Sequence, residues 1–169
     1  DGIDRQFTVA LDKKTGTTVW QTPRSTNYGD LDKDGQPTRE GDLRKAYGTP
    51  ALVKVGDATQ IVSVGSRAAF GYDGRTGKEI WTVTHGGYNA AVRPLVQGST
   101  VFMNTGYPGG HLVALKIDAG TTGDVTAKAL WERPKYNSDL ASAVLVNDHI
   151  FQVSAAAAVG DADLGGRDH

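Results

Sequence analysis

The residues best placed to do chemistry sit in a polar stretch, Asp30-Leu31-Asp32-Lys33-Asp34-Gly35. Three carboxylates at alternate positions followed by Gly match the front of a calcium loop. There positions 1, 3 and 5 turn onto one centre, and hard oxygen ligands suit Ca²⁺. Asp30, Asp32 and Asp34 are therefore candidate calcium ligands. The stretch departs from that pattern at position 12, where a bidentate Glu belongs and Gly41 stands between Glu40 and Asp42. The competing reading is a solvated acidic turn, since Asp and Gly are turn formers. Other chemistry has less support. His85, His111, His149 and His169 lack zinc-ligand spacing. Ser66 and Ser142 lack the Gly-x-Ser-x-Gly context of a hydrolase nucleophile. Gly65-Ser66, Gly86-Gly87 and Gly106–Gly110 lack the Gly-Lys-Ser/Thr ending of a phosphate loop. The chain has no cysteine, which removes disulfides, thiolate metal sites and cysteine nucleophiles without fixing a compartment.

The elements around these groups are repeated hairpins. Ala10, Asp12, Thr15, Gly16 and Trp20 span an eleven-residue unit, and Asp73, Thr76, Gly77 and Trp81 recur at the same offsets after Gly71. A degenerate third copy, Ala114–Trp131, keeps Ala114, Asp118, Thr122-Gly123 and Trp131 with seven extra residues. In each copy an apolar strand ends at Asp, Thr-Gly turns the chain, and a second strand carries a Trp expected to be buried. Strands are expected at Gln6–Asp12 and Thr17–Thr22, then at Tyr47–Val55, Gln60–Val64, Ala68–Tyr72 and Glu79–Val83. The order repeats from Arg93-Pro94, through Thr100–Asn104, Leu112–Lys116 and Ala129–Glu132, and starts again at Ser142–Val146 and Ile150–Ser154. Pro50 and Pro94 are 44 residues apart, and Trp81 and Trp131 are 50 apart. Four strands per repeat at this period signal propeller blades, against an all-β sandwich as the alternative.

The expected fold is therefore all-β: blades of four antiparallel strands in an incomplete propeller, about two full blades plus two partial ones. The units are a partial blade at 4–22, a loop insert at 23–46, blades at 47–84 and 90–133, a partial blade at 139–154, and a disordered or truncated tail at 155–169. Together 1–154 form the propeller segment. Closed propellers have roughly four to eight blades, so the remaining blades of the same propeller are the first expected partners. Alone, the chain is expected to be marginal or to associate through its blade edges.

Composition narrows the class. The 169 residues carry a net charge of −1, which provides neither a basic field for nucleic acid nor a polybasic membrane patch. Hydrophobic content is 38% without a long apolar run, so no membrane-spanning helix is expected. The 22 glycines, 6 prolines and single methionine suit short strands and tight turns. The chain opens at Asp1 in mid-pattern, without an initiator methionine, as a fragment or a processed chain would.

The motif Ala-x-Asp-x-x-Thr-Gly-x-x-x-Trp, with the Pro50 and Pro94 strand starts, resembles the PQQ-like (pyrroloquinoline quinone-type) β-propeller repeat of the quinoprotein alcohol dehydrogenase-like superfamily. The resemblance covers about Phe7–Ser154. The second copy has Gly71 for Ala, the third carries an insertion, and Ala143 stands where Pro belongs. It implies that each Trp docks between neighbouring blades against the small residue and the turn. It also implies a non-enzymatic scaffold for protein or ligand interaction, periplasmic, envelope-bound or secreted, with other envelope proteins as partners. The alternatives are part of a PQQ-dependent dehydrogenase, or an accessory propeller of a larger enzyme. By the family's pattern, quinone oxidation needs a carboxylate, a metal and cationic contacts at the propeller axis; Arg67, Arg93 and Asp139 lie near strand ends and could face it. Solvated loop charge is the other reading for all three, and the adjacent cysteines of many such dehydrogenases have no counterpart here. No catalytic residue and no quinone-binding residue is assigned, and PQQ is not expected in this segment alone. Tyr28, Tyr47, Tyr88, Tyr107 and Tyr136 fall in loops or at strand starts, where exposed tyrosines favour protein or glycan contact.

Overall fold

A computed structural model of the chain describes residues 5–38, 41–134, 138 and 140–153. Glu40, Tyr136, Asp139, Ser154, His169 and the tail 155–169 lie outside the described residues. The described chain is an incomplete β-propeller of four sheets, none of them closed.

The first sheet is a hairpin of β1 (Phe7–Leu11) and β2 (Thr18–Pro23). An antiparallel meander follows: β3 (Ala51–Val55), β4 (Ala58–Val64), β5 (Ala68–Asp73) and β6 (Glu79–Thr84). The next meander is β7 (Leu95–Gln97), β8 (Thr100–Asn104), β9 (His111–Lys116) and, after an intervening β10 (Gly123–Asp124), β11 (Trp131–Pro134). A last hairpin pairs β12 (Val144–Val146) with β13 (His149–Phe151). β3 and β7, the first strands of the two meanders, touch each other.

Burial follows strand parity, because successive side chains point to opposite faces. On β5, Ala68, Phe70 and Tyr72 face the first hairpin with Ile61. Ala69 faces the other way and joins Val53, Val62, Val64, Trp81 and Val83 against Val101, Met103, Val113, Leu115 and Ile117 of the next meander. A strand covered on both faces buries every residue but its last, as β5 does.

Several strands are shorter than the sequence expectation: β3 starts at Ala51 rather than Tyr47, β12 at Val144 rather than Ser142, and β13 ends at Phe151. Three further features differ. The insert 23–46 is not only loop: it holds a 3₁₀ turn at Gly41–Arg44 and an antiparallel bridge between Leu31 and Pro37. The last strand of the second meander starts at Trp131 rather than Ala129. The insertion in the third repeat makes β10, which runs parallel to β6 and gives the first meander a fifth strand. Thr122 donates to the Ile80 carbonyl (3.2 Å), Val125 N–H to the Thr82 carbonyl (2.9 Å) and Thr84 N–H to the Thr126 hydroxyl (2.8 Å). These bonds satisfy an edge that would otherwise present unpaired backbone groups.

Candidate functional site

The repeated motif residues form turns first. Asp12 Oδ1 accepts the backbone N–H groups of Lys14 and Thr15, both at 2.9 Å, and the Thr15 hydroxyl at 3.0 Å. Asp73 repeats this with Arg75 N–H (3.0 Å), Thr76 N–H (2.7 Å) and the Thr76 hydroxyl (2.8 Å). Gly16 and Gly77 then take φ of 74° and 72°, which a side chain resists. These bonds hold each Asp below the ordinary carboxylate range, led by the N–H of Thr15 and Thr76 respectively. The third turn is built from different residues. Asp118 accepts the Thr121 hydroxyl at 3.0 Å and Gly120 N–H at 2.8 Å, while Gly123, expected to be the turn glycine, opens β10. Thr122-Gly123 is therefore not the third turn. The Asp–Thr spacing there is the same as in the other copies, and only the following Gly is displaced.

The motif residues next form a packing site between sheets. Trp20, Trp81 and Trp131 stand directly across the ladder from Ala10, Gly71 and Ala114. The indole of Trp81 lies so close to Gly71 that a Cβ there would sit 2.0 Å from its Cε2, which is why Gly replaces Ala in this copy. Trp81 is fully buried and donates its Nε1–H to Gln60 Oε1 at 2.8 Å. Trp20 lies against Gly77, the turn of the following sheet, and Thr22 donates its hydroxyl to the Gly77 carbonyl at 2.6 Å.

The three acidic residues of the insert go to three partners. Asp30 is buried and receives a bidentate fork from Arg44, Nε to Oδ2 at 2.6 Å and Nη2 to Oδ1 at 2.8 Å. That fork holds the Asp30 carboxyl below its ordinary range. Asp32 caps its own turn, accepting N–H from Asp34 (2.9 Å) and Gln36 (2.8 Å). Asp34 pairs with the exposed Lys33. Among the described residues no three His, Cys, Asp or Glu side chains are grouped so as to hold a metal.

A cavity of about 530 Å³ opens where the insert crosses the ends of β5 and β6. Thr26, Tyr28, Arg67, Thr84 and His85 line it. Arg67 takes φ of 64°, unusual for a long side chain. Its N–H donates to the Gly87 carbonyl (2.8 Å) and its carbonyl accepts His85 N–H (2.9 Å), so the backbone on either side holds the conformation. Burial pushes His85 down to about 4 and so keeps the ring neutral at ordinary pH, while the carbonyls of Ala68 and Gly87 pull weakly the other way. Burial likewise raises Tyr28. Arg67 was legible as a strand-end cation; Tyr28 was expected as an exposed contact tyrosine and is half-buried with its hydroxyl sealed, His85 was read only as lacking zinc spacing, and Thr26 had no sequence signal, because only the crossing of the insert brings them together. Arg93 lies apart, beside Pro94 and Ser142, whose hydroxyl accepts the Arg93 N–H at 3.1 Å. Ser66, buried, donates to the Leu43 carbonyl, and His111 pairs with Glu132.

Compared with known families, residues 5–166 match the one described as outer membrane protein assembly factor BamB. No curated protein matches the chain. Each recurrent Asp closes a turn, each Trp faces a small cross-strand residue, and the matched span covers the four sheets. On this ground the chain belongs to the PQQ-like β-propeller repeat family.

Proposed function

We propose that this chain is a segment of a non-enzymatic β-propeller that acts as a protein-interaction scaffold in the bacterial cell envelope. The observation that carries the reading is a tyrosine surface at one end of the blades. Tyr47 and Gly48 N–H both donate to the Ala90 carbonyl, and Tyr88 and Tyr107 exchange two backbone bonds. The loops are thus tied into one platform, with Tyr47 66% and Tyr107 53% exposed. The Tyr107 ring meets Tyr88 edge-on at 5.8 Å. Rigid aromatic groups of this kind are enriched at protein interfaces and lose little entropy on binding. The family description, an outer membrane assembly factor, supports envelope location and protein partners.

The test is made in cells with the full-length protein. A photo-crosslinker at position 107 should capture an envelope protein, and the Tyr47→Ala, Tyr107→Ala pair should abolish the product. Recovery only in the cytoplasmic fraction, or crosslinking indifferent to both tyrosines, overturns the reading. The alternative, part of a PQQ-dependent dehydrogenase or an accessory propeller of one, is tested by dye-linked alcohol or sugar oxidation with added quinone and calcium. Turnover above the quinone-free background would favour it. Calcium binding at Asp30, Asp32 and Asp34 is a separate proposal that requires Asp30 to leave Arg44. Greater thermal stability in millimolar calcium would support it, and no change would count against it.

A further inference from the structure

We propose that the cavity between the insert and the ends of β5 and β6 is a binding site for a small ligand carrying an oxyanion, held by Arg67, Tyr28 and Thr26. Among the described residues, Arg67 Nε, Tyr28 OH, Thr26 Oγ1 and both ring nitrogens of His85 are sealed from solvent and form no hydrogen bond of normal geometry, although the Tyr28 and Thr26 hydroxyls lie near enough to influence each other. Buried polar atoms are almost always paired, so these orphans around one cavity call for an explanation. Among the described residues the guanidinium of Arg67 forms no ion pair, and none of the residues lining the cavity is acidic. Arg67 is half-buried with its Nε sealed, so that N–H carries a desolvation cost, and an incoming carboxylate or phosphate offsets it through a charge-assisted bond.

The chemistry of the lining selects the ligand. Arg67 offers N–H donors only; the Tyr28 and Thr26 hydroxyls can donate beside it. His85 stays neutral, so it adds no second cation and leaves Arg67 as the electrostatic anchor. The volume of about 530 Å³ exceeds what an inorganic ion needs and falls in the range of small-molecule sites. The backbone points the same way. At the left-handed Arg67 a glycine would fit without strain, yet an arginine stands there, held by bonds to Gly87 and His85. The cavity lies at the ends of β5 and β6, away from the β3–β7 contact.

The probes are inorganic phosphate and citrate, titrated separately into the intact protein at constant ionic strength, with chloride as the reference salt. The readout is the His85 ring resonance and its titration. A bound anion favours the imidazolium, so the His85 pKa should rise from about 4 toward the ordinary 6.5. Of the other charged groups that bear on the ring, Arg67 and His111 both oppose that charge, so each anion titration is compared with the chloride reference of the same protein. A response to phosphate alone assigns a phosphate ligand, to citrate alone a carboxylate ligand, and to both a general oxyanion site. Arg67→Gln should weaken the response by about tenfold or more, and Tyr28→Phe by a smaller factor. Arg67→Gly suits the left-handed backbone and keeps the test valid if the Gln variant folds poorly. If neither probe moves His85 beyond the chloride control, or if Arg67→Gly responds like the wild type, the site does not exist. That result would leave the scaffold reading untouched.

Discussion

Trp81 and Trp131 occupy the same place in successive sheets, yet one is fully buried and the other is 39% exposed. Their local settings are alike. Each closes a hairpin after an Asp-Thr turn, and each faces a small residue across the ladder. The difference comes from what lies beyond. Trp81 shares a core with Leu115, Ile117 and Val125, contributed by the following meander and the segment just after β10. Trp131 lies tilted against Phe102, ring centres 5.8 Å apart, and otherwise faces a cleft of about 1220 Å³ toward β13. A propeller Trp is therefore not buried by its own blade. Its environment is completed by the neighbour, as expected of repeats whose stability is a sum of unit and interface terms.

The comparison can be broken most directly by truncation. Trp81→Ala should cost about 3–5 kcal/mol in urea unfolding, and Trp131→Ala about half of that or less, since a half-exposed ring leaves a smaller cavity. Equal costs would mean that the neighbouring sheet contributes nothing. Gly71→Ala comes next. The added methyl collides with the Trp81 indole, and overpacking of this kind costs about 1–3 kcal/mol. Ala114→Gly at the equivalent, fully buried position removes a buried methyl as well as the intrinsic advantage of Ala, about 1–2 kcal/mol. A smaller effect again should follow Thr22→Val, which deletes the hydroxyl bond to the Gly77 carbonyl across sheets, at about 0.5–1.5 kcal/mol. A melting temperature unchanged by that substitution would remove the hydroxyl from the inter-sheet contact.

Acid titration sharpens the comparison from the side of the turns. His85 is neutral in the fold and binds a proton more readily unfolded, so its contribution is complete above pH 6.5 and is lost as pH falls toward about 4. Asp12, Asp73 and Asp118 have lowered folded values, so their contribution is complete above the unfolded value of 3.8 and is lost as pH falls further. Melting temperature should therefore decline in two stages. His85→Gln should remove the upper stage, while Asp73→Asn and Asp118→Asn should each weaken the lower one to a similar degree. A much larger effect at Asp73 would tie the turn itself to the burial of Trp81.

The hairpins, the period and two of the three turns were legible from residue types because their causes are local. Asp12 and Asp73 bond to groups two and three residues away, and Gly16 and Gly77 answer to their own φ. The third turn misled because Thr122-Gly123 has the right composition, while Thr121 holds the position from which the hydroxyl reaches Asp118. The Asp-x-Asp-x-Asp stretch was readable as metal ligands or as a turn. Arg44, fourteen residues on, takes Asp30 for an ion pair. Nothing in the sequence joined Thr26, Tyr28 and His85 into one site, since nothing in their neighbours foretells that the insert crosses β5 and β6.

By itself the sequence determined the all-β repeat, the small residue opposite each Trp and two of the three Asp-closed turns, all of which depend on contacts within about one hairpin. Tertiary structure alone decided which Trp is buried, where the inserted strand pairs, which partner each acidic residue takes and where orphaned polar groups meet. Those outcomes depend on groups brought together from separate repeats, and a spacing along the chain holds no information about which faces will meet.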